Sequence, residues 1–427
     1  MRDAPEIITL GCRLNTYESE AMRGLARNAG LGEAVIVNTC AVTAEAVRQA
    51  RQAIRRARAR APAARIIVTG CAAQIDPASF AQMEEVDAVL GNHEKMRAGD
   101  WAAMAAANGP ETELRVGDVM AVRELAPQLV EGFAERARAF LQIQNGCDHR
   151  CTFCVIPYGR GPARSAPMGA VVEQARQLVA KGFREVVLTG VDITSYGGDL
   201  PGAPTLGRLV GKILDLVPEL PRLRLSSLDT IEIDDELFAR ITEDMRLMPH
   251  LHLSLQSGDD MILKRMKRRH SSAEAIRFVE RVKARRPEIA IGADLIAGFP
   301  TETDEMHAAN LRHLDDCDVV YGHIFPYSPR EGTPAARMPQ LDRSTVKARA
   351  AELRARAAER RAIYDESLVG GEFAFLGERG GVARTPSFAE AEIAGAEIAP
   401  GEIARARITG RIGGRLRASR TDFQGAA

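Results

Sequence analysis

A chain of 427 residues has room for about three domains, and 45% hydrophobic residues supply their cores. Its 57 basic and 57 acidic residues cancel, which excludes a globally basic RNA binder but leaves room for local basic patches. The opening MRDAPEIITLGC holds no charged segment followed by an apolar core, and no run of about 18 apolar residues occurs, so neither a signal peptide nor a membrane span is expected and the cytoplasm is the expected compartment.

In the first hundred residues, apolar runs at 6–10, 34–37, 65–69 and 86–90 alternate with helical patterns at 17–28 and 44–60. This alternation predicts a parallel sheet with helices on its faces. Residues 96–135 lack strong periodicity and contain Asn108-Gly109-Pro110, so a connection is expected there. A second series has apolar runs at 140–143, 185–188, 223–225, 251–255, 289–295 and 319–324, with helical patterns between them such as 169–181 and 273–285. Six units predict an open or partial β/α barrel, because a closed one of eight takes about 250 residues. A long Arg/Ala/Glu helix is expected at 343–366. The Gly-rich remainder has β-prone runs at 372–376 and 403–408 and predicts a small antiparallel barrel. The resulting boundaries are 1–108, a linker 109–132, a core 133–366 and a terminal barrel 367–427.

Seven cysteines in a reducing compartment point to metal binding or catalysis rather than disulfides. Cys147-Asp148-His149-Arg150-Cys151-Thr152-Phe153-Cys154 directly follows the first strand of the second series. Three thiolates in one short loop suit an iron–sulfur cube, and a four-iron cluster held by three ligands keeps one iron open for a small molecule. The competing occupant is a structural zinc with His149 as fourth ligand, but such sites usually pair their ligands at separated positions. Cys12, Cys40 and Cys71 each lie shortly beyond a predicted strand end. Strand ends of a parallel sheet share one edge, so three distant thiols can converge there, with Gly11 and Gly70 letting backbone approach closely. A second metal cluster is the natural occupant, against three ordinary buried thiols. Cys317 reads as structural.

The loop of Cys147, Cys151 and Cys154, with Phe153 in its second gap, resembles the motif of the radical S-adenosylmethionine superfamily. Two such triads on one chain resemble the methylthiotransferases, and that resemblance covers nearly the whole chain. Further words agree: Leu188-Thr189-Gly190-Val191, Leu253-Ser254-Leu255-Gln256-Ser257-Gly258, Gly298-Phe299-Pro300-Thr301-Glu302-Thr303 and Pro326-Tyr327-Ser328-Pro329-Arg330-Glu331-Gly332-Thr333. The resemblance implies an α/β architecture: an N-terminal flavodoxin-like parallel sheet with an auxiliary cluster, a central partial (β/α)6 radical barrel, and a C-terminal RNA-binding barrel of the type called TRAM. It also implies two [4Fe-4S] clusters, S-adenosylmethionine as cofactor near Thr189, Gly190, Val191, Gln256 and Asp294, tRNA as partner, and an external one-electron donor such as flavodoxin or ferredoxin. An adenosyl radical made at the Cys147/Cys151/Cys154 cluster explains how an inert adenine C2–H bond is replaced by a methylthio group.

Among the family's branches, Gly11-Cys12-Arg13-Leu14-Asn15 and Pro157-Tyr158-Gly159-Arg160-Gly161-Pro162-Ala163-Arg164-Ser165 look most like the one acting on N6-threonylcarbamoyl-adenosine at tRNA position 37. The isopentenyl-adenosine branch tends to carry Gln where Arg13 stands, and a cationic Arg13 can pair with the threonylcarbamoyl carboxylate. The rivals are methylthiolation of isopentenyl-adenosine or of a ribosomal-protein aspartate, and a non-catalytic iron–sulfur RNA-binding or redox-sensing protein. Basic stretches at 405–420, 264–270 and 48–60 are candidates to line phosphates. Against them, 390–402 is acidic, and Phe373, Phe375, Phe388 and Phe423 are few aromatics for base stacking.

Overall fold

The computed structural model describes residues 5–107, 112–125, 136–395 and 397–421; Asn108-Gly109-Pro110 and Phe423 lie outside the described residues. The N-terminal unit runs β1 (Glu6–Thr9), α1 (Arg13–Asn28), β2 (Ala34–Thr39), α2 (Ala44–Arg60), β3 (Arg65–Gly70), α3 (Cys71–Ile75), α4 (Pro77–Ala81), β4 (Ala88–Leu90), α5 (Ala98–Ala106) and β5 (Glu113–Arg115). All five strands are parallel. Every residue of β2 is buried, as a sheet covered on both faces requires. One face packs Val35, Val37, Ile54, Val68 and Phe80; the other packs Met22, Ile36, Ile67 and Trp101. Strand β5 falls inside the stretch expected to be a plain connection.

The strand order is sequential, 1-2-3-4-5, whereas flavodoxin has 2-1-3-4-5. The expected parallel α/β sheet is present, with a strand order of its own. Strand β1 stays at the sheet edge because α1, which follows it, carries Leu14, Tyr17 and Ala21 into the core of the next domain.

The central domain has β6 (Ala139–Gln142), β7 (Gln144–Asn145), α6 (Ile156–Arg160), β8 (Arg164–Ser165), α7 (Met168–Ala180), β9 (Glu185–Thr189), α8 (Leu206–Leu216), β10 (Arg222–Leu225), α9 (Asp235–Glu243), β11 (His250–Gln256), α10 (Asp260–Arg265), α11 (Ser272–Arg285), β12 (Ala290–Ala297), α12 (Asp304–Asp316) and β13 (Val319–Pro326). Strands β6, β9 and β10 form one parallel sheet and β11, β12 and β13 another, joined by isolated bridges Leu223↔Leu247 and Leu228↔Leu253. The result is the open six-stranded barrel expected. Leu251, Leu253, Ile291, Ala293 and Leu295 pack with helix residues such as Val172, Leu209, Phe278 and Leu314. Strand alternation then turns His250, His252, Gly292 and Asp294 to the concave side. Helix α13 (Arg343–Ser367) lies against β13, close enough that a Cβ on Gly322 would sit 2.7 Å from that of Ala357.

Strands β14 (Glu372–Gly377), β15 (Val382–Arg384), β16 (Glu390–Ala394), β17 (Ile403–Ile412) and β18 (Arg415–Arg420) close a five-stranded barrel. Four of its seams are antiparallel and one, β16 with β18, is parallel. The turn between β15 and β16 docks on the central domain. Thr385 O accepts from Arg224 at 3.3 Å and Ser387 O from Tyr321 at 3.0 Å.

Candidate cluster-binding active site

Strands β1, β2 and β3 are neighbours, and neighbouring strands lie about 4.8 Å apart. Cys12 caps the N-terminus of α1, Cys40 follows β2 directly, and Cys71 opens α3. The three strand ends thus bring the three thiols together, near enough to repel one another as thiolates. Gly11 takes φ +94, and a Cβ there would fall 2.9 Å from Cys40 Sγ; at Gly70, φ +98, one would fall 2.3 Å from Thr39 O. Both glycines therefore hold the strand ends close. Asn15 clamps the loops, donating from Nδ2 to Leu10 O at 2.7 Å and to Thr39 O at 3.0 Å.

Across the domain junction, Cys147, Cys151 and Cys154 share one loop. Cys147 N donates to Gly161 O and Cys154 N to Cys151 O, both at 3.1 Å. Gly146 takes φ +75 at a point where a Cβ would meet Pro162 O at 1.9 Å. The two triads come close at the junction, where Arg160 Nε lies 3.1 Å from Cys71 Sγ and the next residue, Gly161, accepts from Cys147 N at 3.1 Å. Burial pushes the Cys40 and Cys154 thiols up to about 11 each, and their neighbouring cysteines add to it. Burial also raises Cys147, and Asp192, with an oxygen 3.8 Å from its Sγ, reinforces the shift. Thiols held protonated by burial and mutual repulsion suit a metal that replaces their protons.

The donor set fits two iron–sulfur clusters better than zinc. His149 stays beside the loop but is tied to carboxylates: its Nε2 lies 2.8 Å from Asp192, and hydrogen bonds to Asp192 and Glu232 raise it to about 10. Cys317 is buried with Sγ 3.6 Å from His313 Nε2, consistent with a structural role.

Thr189 ends β9, and Gly190 and Val191 form the turn that follows. Gln144 Oε1 accepts from Val191 N at 3.0 Å and Asp192 N at 2.9 Å, while Gln144 Nε2 donates to Gly146 O at 2.8 Å. One side chain thus ties this turn to the cysteine loop. Gln256 ends β11 at φ +66, a conformation a side chain rarely adopts and one that clusters at functional sites. Asp294 lies 2.9 Å from His252 Nε2 and 3.4 Å from His323 Nδ1. Burial would raise its carboxyl, but those imidazoles hold it well below the carboxylate range. Among the described residues, Gln256 and Asp294 make no hydrogen bond to the turn at Thr189.

Arg13 reaches away from the thiols. Its guanidinium lies 5.9 Å from the Phe388 ring, which Arg138 and Arg224 also approach, at 5.2 and 5.0 Å, and His250 stacks on the same ring. Glu185 serves Arg138, Arg222 and Arg224, whereas Arg13 has no carboxylate within 4 Å among the described residues. Burial, then Arg138 and Arg224, lower it to about 10.

In the basic stretch at 264–270, Lys264, Lys267 and Arg269 are exposed, and two of the arginines have acidic partners. Arg268 pairs with Asp229 at 2.8 Å, Arg269 with Glu232 at 2.6 Å, and His270 is buried on Leu255 O. In the terminal barrel, Arg405 and Arg407 pair with Glu372, and Arg415 and Arg417 with Glu392. These exposed pairs are worth about 0–1 kcal/mol each, so phosphates can displace them.

The sequence reading missed a buried network at the junction. Glu18 lies 2.7 Å from Lys95 Nζ and also pairs with Arg160, and all three are buried. Its only signal was a carboxylate one turn beyond Asn15, on the buried face of α1.

An open parallel barrel with a three-cysteine loop after its first strand, docked on a second cysteine triad, defines a radical S-adenosylmethionine enzyme with an auxiliary cluster. The chain belongs to the methylthiotransferase family within that superfamily. The radical SAM superfamily model matches residues 141–314, and the model of uncharacterized protein family UPF0004 matches 5–91. The chain is 49% identical to threonylcarbamoyladenosine tRNA methylthiotransferase MtaB of Rickettsia prowazekii, over 95% of this chain and 94% of the relative. It is 35% identical to tRNA-2-methylthio-N(6)-dimethylallyladenosine synthase of Paracoccus denitrificans, over 88% and 86%. The solved radical S-adenosylmethionine methyltransferase TsrM of Kitasatospora setae shares the fold, with a TM-score of 0.51 at 18% identity over 76% of this chain and 68% of TsrM.

Proposed function

We propose that this enzyme replaces the C2 hydrogen of N6-threonylcarbamoyl-adenosine 37 in tRNA by a methylthio group. The carrying observation is the pair of cysteine triads brought close at the domain junction, one touching Arg160 and the other Gly161. In this reading Cys147, Cys151 and Cys154 hold one four-iron cluster and Cys12, Cys40 and Cys71 the other. When bound, the clusters and S-adenosylmethionine supply one-electron cleavage of the sulfonium and the methylthio group.

The chain's own residues bind and orient. Gln144 fixes the Thr189–Gly190–Val191 turn, beside which the methionine end of the cofactor would lie. Gln256 and Asp294 line the concave side above the arginine group. Arg13 offers its unpaired charge to the threonylcarbamoyl carboxylate, which an isopentenyl group lacks. The higher identity to the threonylcarbamoyl-acting relative supports this branch. A cytoplasmic setting and an external one-electron donor such as flavodoxin or ferredoxin belong to the same reading, as does a division at 109–132 and 366.

Mass spectrometry of tRNA nucleosides from a strain lacking the gene tests it. Loss of the 2-methylthio derivative of threonylcarbamoyl-adenosine, restored by the intact gene, is expected. Loss of the isopentenyl derivative instead, or of a modified ribosomal aspartate, would refute the branch. Reduced enzyme that yields no 5′-deoxyadenosine would favour a non-catalytic iron–sulfur protein.

A further inference from the structure

Arg160 is buried at the C-terminal end of α6, in the central domain; its guanidinium touches Asn145 there at 3.4 Å, but its shorter contacts are with the N-terminal domain. Its Nε lies 3.1 Å from Cys71 Sγ. Nη2 donates to Asn15 Oδ1 at 2.5 Å and to Glu18 Oε2 at 3.0 Å, and Nη1 pairs with the other oxygen of Glu18. The approach is tight: a Cβ on the preceding Gly159 would lie 3.3 Å from that of Cys71.

Charge counting shows what is missing. Arg160, Lys95 and Glu18 are two cations and one anion, all out of water. Buried charge is tolerated when paired and hydrogen-bonded. Glu18 and Lys95 form one pair, and the anion left for Arg160 is the sulfur it points at. The Cys147, Cys151 and Cys154 triad sits in a mixed field, with Asp192 Oδ2 3.8 Å from Cys147 Sγ and Arg268 Nη1 3.8 Å from Cys151 Sγ.

We propose that Arg160 is a positioning residue that sets the reduction potential of the auxiliary cluster through an N–H···S bond to Cys71. This rests on the reading that Cys12, Cys40 and Cys71 hold a cluster. Hydrogen bonds to sulfur and local charge set such potentials, and a nearby cation stabilises the added electron. The auxiliary cluster is therefore held at a higher potential than it would have without Arg160. Because the donor comes from the other domain, the setting depends on the two domains being docked.

The test uses the full-length chain with Cys147, Cys151 and Cys154 replaced by Ala, so that one cluster remains, titrated under electron paramagnetic resonance. Arg160→Met leaves Glu18 paired with Lys95. It should shift the oxidised-to-reduced ratio at fixed potential at least tenfold toward oxidised, about 59 mV for a one-electron couple. Arg160→Lys should shift it less. A purely structural role would lower iron content without moving the potential of the cluster that remains, and an unmoved potential overturns the proposal. Should Arg160→Met fail to hold iron, the Arg160 side chain is tested in place. With arginine labelled by nitrogen-15, the reduced cluster should show a nitrogen coupling, and its absence overturns the proposal. If the protein with only Cys12, Cys40 and Cys71 binds no cluster at all, the auxiliary-site reading falls as well.

Discussion

Replacing Arg13 by Gln tests the substrate assignment most directly. The guanidinium is half-buried and lies among Arg138, Arg224 and Arg384, with no carboxylate within 4 Å among the described residues. Lowered to about 10, it remains cationic at neutral pH. The nearest acid, Glu185, already serves three other arginines. A substrate carboxylate would thus be Arg13's first close partner. A hydrogen bond to a charged group contributes roughly 1.5–3 kcal/mol. Losing about 2 kcal/mol costs some thirtyfold in a binding constant or rate, since about 1.4 kcal/mol is tenfold. Stacking on Phe388 contributes only about 0.5–1 kcal/mol, so Phe388→Leu should cost less than about tenfold. The assay compares initial rates on tRNA bearing threonylcarbamoyl- or isopentenyl-adenosine, with iron counted in each sample. Arg13→Gln should lose one to two orders of magnitude, roughly, on the threonylcarbamoyl substrate alone. An unchanged preference would refute the role of Arg13, and a wild type preferring the isopentenyl substrate would refute the branch.

Reconstituted protein should hold about eight irons, and about four after Cys147, Cys151 and Cys154 become Ala; stoichiometric zinc would refute the two-cluster reading. Replacing Cys12, Cys40 and Cys71 should preserve formation of 5′-deoxyadenosine while abolishing methylthiolated product. Gly70→Ala should destabilise the N-terminal unit by at least about 2 kcal/mol, from left-handed backbone and contact with Thr39. Gly30→Ala, with φ +83 and nothing within 4 Å, should cost only about 1–2 kcal/mol; equal urea midpoints for the two would contradict this. Burial lowers His313 to about 4. Its unfolded value is near 6.5, so the unfolded chain binds the extra proton and stability falls with pH through that window. By pH 5 the loss reaches about 2 kcal/mol, read as a lower urea midpoint that His313→Gln should flatten.

Local spacing carried the parts of the site that local chain geometry builds. Cys147, Cys151 and Cys154 were legible because one loop holds them all. Cys12, Cys40 and Cys71 were legible because each follows a strand, and a parallel sheet aligns strand ends whatever their order. That is why the sequential order, which departs from flavodoxin, leaves the convergence intact; it even places the three strands side by side. Charge was far less legible. The ion pairs of Arg268 and Arg269 were not legible because their partners, Asp229 and Glu232, lie some forty residues away. Arg160 read as one residue of a motif, although its partners Glu18, Asn15 and Cys71 come from the other domain. A charged residue's role depends on which opposite charge the fold brings within a few ångströms, and no periodicity encodes that. The same logic makes Arg13 and Arg160 the two informative cations. Most others near the junction have a carboxylate partner within this chain. Arg13 has none within 4 Å among the described residues, and Arg160 shares Glu18 with Lys95; under the proposed reading each would gain its partner from a ligand, a substrate carboxylate in one case and a metal-bound thiolate in the other.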